Sequence, residues 1–61
     1  MKYSELERLL KKAGCWVDHE GKRHTIWYSP ITGKTFPVLR HKGQDAKPGT
    51  LDNILKTAGL K

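Results

Sequence analysis

His24-Thr25-Ile26-Trp27-Tyr28-Ser29 is the stretch on which the fold turns. Its β-branched and aromatic residues favour a pleated strand over a helix. A strand sends alternate side chains to opposite faces, so His24, Ile26 and Tyr28 share one face and Thr25, Trp27 and Ser29 the other. Trp27 is the largest apolar group here and is placed in the core. Periodicity alone leaves the opposite register open, with Ile26 inward. With Trp27 inward, Ile26 and Tyr28 lie beside His24 on an open face, where apolar groups suggest a binding surface.

The neighbouring segments extend the sheet. Before the strand, Gly21-Lys22-Arg23 reads as a small turn, and Cys15 to Asp18 as a short first strand. After it, Pro30 to Gly33 is a turn in which Pro30 fixes φ and Gly33 can take positive φ. Thr35 to Arg40 is the third strand. Pro37 has no N–H for a ladder, so this strand belongs at an edge. Short links between the strands favour an antiparallel meander.

A helical period appears on both sides of this middle. Ser4-Glu5-Leu6-Glu7 fits a capping box. Leu6, Leu9, Leu10 and Ala13 then form one apolar stripe, with Leu9 read as facing the sheet. Lys11 and Lys12 suit the last turn, and Gly14 a left-handed cap. His41 to Gly49 is a polar loop. Thr50 is the expected N-cap of a second helix, whose stripe is Leu51, Ile54, Leu55 and Ala58, stopped by Gly59. The expected class is α+β in the order α-β-β-β-α, a three-stranded antiparallel sheet with two helices on one face. Residues 1–61 are read as one domain, since a chain of 61 residues has room for a single thin core.

Charge gives the first functional direction. The net charge is +6, and residues 22–47 carry six basic groups (Lys22, Arg23, Lys34, Arg40, Lys42 and Lys47) against Asp45 alone. In residues 1–21 four basic and four acidic groups cancel. A basic middle attracts polyanions, nucleic acid above all. It does not lie on an amphipathic helix, which speaks against a membrane surface. No apolar run approaches the ~20 residues that span a bilayer. The single cysteine, Cys15, forms no internal disulfide and reads as a small buried thiol, with the cytoplasm the expected compartment.

The groups able to do chemistry are few. Histidine is the usual general acid or base. His24 starts a strand directly after two cations, a placement suited to taking a proton from a ribose 2′-hydroxyl beside a phosphate. His41 follows Arg40 at the end of the third strand and could meet His24 across the sheet. His19 lies near a hairpin tip, where an exposed residue is the ordinary reading. No C-x₂-C or H-x₃-H spacing occurs, so no metal site and no cofactor are expected. Phosphate-binding loops and a Ser-His-Asp order are also missing from the sequence.

Taken in order, these motifs resemble the HicA family, the small toxins of HicA–HicB toxin–antitoxin modules. The resemblance is carried by Tyr3-Ser4-Glu5-Leu6, Leu9-Leu10-Lys11-Lys12-Ala13-Gly14 and Gly21-Lys22-Arg23-His24. It continues through Pro37-Val38-Leu39-Arg40-His41 and Lys47-Pro48-Gly49-Thr50-Leu51 to Ile54-Leu55-Lys56-Thr57-Ala58-Gly59-Leu60, the most specific stretch. It implies a double-stranded-RNA-binding-domain-like fold and metal-independent mRNA interferase activity dependent on one histidine, which here is His24. Lys22, Arg23 and Arg40, with His41 and Lys42, are the expected RNA contacts. The implied partners are mRNA and a HicB-like antitoxin covering the histidine, with no membrane and no DNA contact by this chain alone. The alternative is a non-catalytic module that binds duplex RNA by shape and phosphate contacts.

Overall fold

The computed structural model describes every residue except Lys42. Its elements run α1 (Tyr3–Lys12), β1 (Trp16–Glu20), β2 (His24–Ser29), β3 (Lys34–Leu39) and α2 (Pro48–Ala58). The three strands form one antiparallel sheet in the order β1-β2-β3, so the aromatic strand is central and Pro37 lies on an edge strand. This is the α-β-β-β-α arrangement expected from the sequence, and it is consistent with a double-stranded-RNA-binding-domain-like fold.

Trp27 settles the register. It is 1% exposed and pairs across the sheet with buried Phe36, while Val38 is buried opposite Thr25. These inward residues meet Tyr3, Leu6 and Leu10 of α1 and Ile54 and Ala58 of α2 in one core, so both helices cover the same sheet face. Burying an aliphatic or aromatic side chain of this size contributes about 1.5–3 kcal/mol.

The α1 stripe differs from expectation at one position. Tyr3, Leu6 and Leu10 are buried, with Ala13 packed against them, but Leu9 is 37% exposed. The inward line is therefore Tyr3-Leu6-Leu10-Ala13, and Leu9 lies one residue around the helix from it. On α2, Ile54 and Ala58 form the buried line, with Leu51 and Leu55 packed partly against the core.

Both helix starts also differ. The N-caps are Lys2 and Lys47, each extended, and neither helix has a side-chain cap. Ser4 and Glu7 lie inside α1 and form no capping box. Thr50 lies inside α2, because Pro48 already supplies a helical φ at the first position. The α1 start is held instead by the loop before α2. Gln44 O accepts from Tyr3 N at 2.9 Å, and Met1 O accepts from Ala46 N at 2.8 Å.

The helix ends follow the sequence. Gly14 has φ +93° and Gly59 φ +83°, the left-handed region where a side chain is strained. At both ends the following N–H reaches back into the last turn, Cys15 N to Leu10 O at 3.0 Å and Leu60 N to Leu55 O at 2.8 Å. Gly59 is constrained twice, because a Cβ there would lie 2.7 Å from Ile31 Cγ2. Ser29, fully buried at the end of β2, donates its hydroxyl to Ala58 O at 2.6 Å and ties the strand to the end of α2.

β1 runs to Glu20 rather than stopping at Asp18, and it begins at Trp16 rather than Cys15. The cause of the longer strand is a bulge: Val17 pairs with Trp27, but His19, not Asp18, pairs with Ile26. One extra residue breaks the period of two, which hides the strand's second half from a pattern reading. β3 is shifted by one residue, to Lys34–Leu39, leaving Arg40 just beyond it.

Candidate nucleic-acid interface and histidine site

The site grows out of one corner of the sheet. The β1–β2 hairpin closes with Gly21 N donating to His24 O at 2.8 Å, so Lys22 and Arg23 form the tip between them. Gly21 has little room for a side chain, since a Cβ there would stand 3.2 Å from His24 O. His24 is the first residue of β2 and pairs with Leu39, the last of β3. That register delivers the residues after β3, Arg40 and His41, to the hairpin tip.

Together Lys22, Arg23, His24, Leu39, Arg40 and His41 line one shallow depression. Lys22, Arg23, Arg40 and His41 are exposed and His24 is half-buried. The Arg40 Nη2 donates to His24 O at 3.4 Å, a long contact that holds the guanidinium over the start of β2. Arg40 also borders a second hollow with Glu7, Val17, Glu20 and Thr25, so it stands between the acidic end of β1 and the cationic corner.

Five of the six residues expected at an RNA site are thus brought together. The sixth, Lys42, lies outside the described residues. An antiparallel β2–β3 pair must place the residues preceding β2 beside those following β3, which is why these residues meet at one corner.

The other two groups with chemical potential stand apart. His19 lies on β1, where its Nδ1 is 2.7 Å from the Asp18 carboxylate and both side chains are largely exposed. Cys15 is buried at 5% exposure between α1 and β1, as expected of a packing thiol. No group of three or more His, Cys, Asp or Glu converges among the described residues. Among the described residues no helix is long and apolar enough to cross a membrane.

An aromatic contact escaped the sequence reading. Trp16 pairs with Tyr28 across the β1–β2 ladder, with ring centroids 4.9 Å apart and planes inclined by 38°. The alternation in β2 puts Tyr28 on the same face as His24. Counting back from the hairpin would have set Val17 opposite Tyr28, and only the bulge between Val17 and His19 brings Trp16 there.

The depression combines cations that can hold a polyanion with a histidine able to move a proton. No curated protein and no solved structure matches the chain. A family model described as the HicA toxin of bacterial toxin–antitoxin systems matches residues 3–60 of the 61.

Proposed function

The chain belongs to the HicA toxin family, and on that footing we propose that it is an endoribonuclease acting on mRNA, with His24 as its proton-transfer group. The observation that carries this reading is the cationic depression in which Lys22, Arg23 and Arg40 surround His24. The three cations bind the phosphates on either side of the scissile bond and offset charge that develops on the phosphoryl oxygens. His24 takes the proton from a ribose 2′-hydroxyl, or gives one to the departing 5′-oxygen. The 2′-oxygen bonds to phosphorus, the P–O5′ bond breaks, and a cyclic phosphate and a free 5′-hydroxyl result. DNA has no 2′-hydroxyl and is not a substrate for this step.

One positioned acid or base contributes roughly 10²–10⁴-fold. That suits an open site on a small domain and a toxin that needs few turnovers. His41, at the same depression, is placed to assist. Lys42 is proposed with it as a further phosphate contact, from sequence position alone. The protein acts in the cytoplasm, where its mRNA substrate is found, and a HicB-like antitoxin seated over the depression excludes RNA.

The test compares wild type and His24→Ala, expressed without antitoxin, for growth, cleavage of purified RNA in EDTA, and melting temperature. The expected outcome is toxicity and cleavage by wild type. The variant should show neither, with a stability change no greater than ~1 kcal/mol. Full cleavage by the variant would remove His24 from the mechanism. RNA binding by wild type without any cleavage would favour the non-catalytic module.

A further inference from the structure

The sheet face turned away from the helices carries more than His24. Trp16 is 50% exposed and lies against Tyr28. The register places Trp16, Tyr28, Ile26, His19 and His24 on this one outward face, and none of its paired positions is acidic. Asp18 falls in the bulge and is engaged with His19, whereas Glu20 pairs with Thr25 on the helix side. The aromatic pair occupies one end of β2 and the cationic depression the other.

Resting on the ribonuclease reading above, we propose that Trp16 and Tyr28 form a stacking platform for an unpaired base of single-stranded RNA whose backbone continues into the Lys22–Arg23–Arg40 corner. From Tyr28 to His24 is four residues, about 13 Å along an extended strand, a span that one short single strand covers. A half-exposed indole offers a broad π-face, and base–aromatic stacking is tolerant of sequence because every base has such a face. Bases in a duplex are already stacked on one another and present only edges, so the platform selects single strands. Continuity of the face with the cations, and the pairing of its one neighbouring carboxylate, Asp18, with His19, favour a polyanion over an apolar protein surface as the occupant.

The protein carries its own probe. It has two tryptophans, and Trp27 is 1% exposed, so a change in fluorescence on RNA binding reports Trp16. The experiment uses His24→Ala to keep the RNA intact. An unstructured adenine-rich oligoribonucleotide is titrated in, and the duplex of the same sequence serves as comparison. Quenching by the single strand is expected. Adding Trp16→Ala should weaken single-strand binding about tenfold, leave duplex binding unchanged, and be largely reversed by Trp16→Phe. In an otherwise native His24 background, Trp16→Ala should raise KM with kcat retained.

Equal single-strand affinity with and without the indole, in variants that melt normally, overturns the platform. Absence of quenching in the Trp16 protein overturns it even if Trp16→Ala does not fold. Loss of antitoxin capture by Trp16→Ala with RNA affinity intact assigns the face to a protein partner and overturns it too. The ribonuclease reading fails separately: Trp16-dependent binding by a wild-type chain that cuts no RNA keeps the platform and removes the enzyme.

Discussion

The two faces of β2 are built from neighbouring residues and stand in opposite surroundings. Inward, Trp27 and Ser29 are sealed, one against the helices and the other bonded to the end of α2. Outward, His24, Ile26 and Tyr28 are half-buried, bordered by cations at one end and Trp16 at the other. The strand's period of two therefore separates a sealed face from an accessible one within six residues. A small domain has few other ways to do this, since nearly every element must serve the thin core.

The separation is broken most severely from the inside. Trp27→Ala should cost about 3–5 kcal/mol, enough to unfold much of the population of so small a domain. Tyr28→Ala, one residue along and on the other face, should cost only about 1–2 kcal/mol, its share of area and of the pairing with Trp16. Chemical denaturation of the two variants decides the matter, and equal losses would mean that the outward face is also core. Trp27→Phe sharpens the test. The buried Trp27 Nε1 has no hydrogen-bond partner among the described residues, so removing it sacrifices packing but no bond.

The same contrast holds within α1. Leu10→Ala removes a fully buried side chain and should cost about 2–5 kcal/mol, whereas Leu9→Ala should fall below ~1 kcal/mol. Melting curves of the pair measure how sharply the helix is divided into faces. Sequence alone misjudged Leu9, and the reason is geometric. Positions three and four apart on a helix both qualify for a stripe, and only contact with the sheet selects Leu6 and Leu10 over Leu9.

Other parts were legible in proportion to how local their causes are. The left-handed helix ends were readable because Gly14 and Gly59 answer a purely local backbone demand. The helix starts were not, because α1 is held by Gln44 O, more than forty residues away. The cationic corner was readable because hairpin topology forces Lys22 and Arg23 toward Arg40. The Trp16–Tyr28 pair was not, because the bulge after Val17 obscures the register of β1.

Outside the core, effects should be smaller and of a different kind. Lys22→Glu should leave the melting temperature nearly unchanged, since the side chain is exposed at a hairpin tip. It should weaken binding to all RNA sequences about equally and lower the slope of log K against log salt by about one unit. Salt titrations of the wild type and the variant read this directly. An unchanged slope would place the phosphates elsewhere on the surface.

The smallest effect belongs to neither face and serves as their control. On α2, Asp52 accepts from Lys61 and lies 3.0 Å from Lys56 one turn on. The bond from Lys61, and then that from Lys56, hold its carboxyl below the ordinary value of 3.8. A lowered folded value means that the carboxylate stabilises the native state above pH 3.8 and that this contribution is lost as pH falls through the lower folded value. The group is exposed, so screening keeps the contribution slight and sensitive to salt. Asp52→Asn should therefore lower stability slightly above pH about 5, where the carboxylate is ionised, and converge with the wild type at the acid end, so that its stability curve is flatter there. Thermal melts across that range check it. Any loss of RNA cleavage at milder acidity, in wild type and Asp52→Asn alike, then belongs to the outward face of β2 and its corner rather than to unfolding. Rescue of that cleavage by Asp52→Asn would instead tie the acid response to the end of α2.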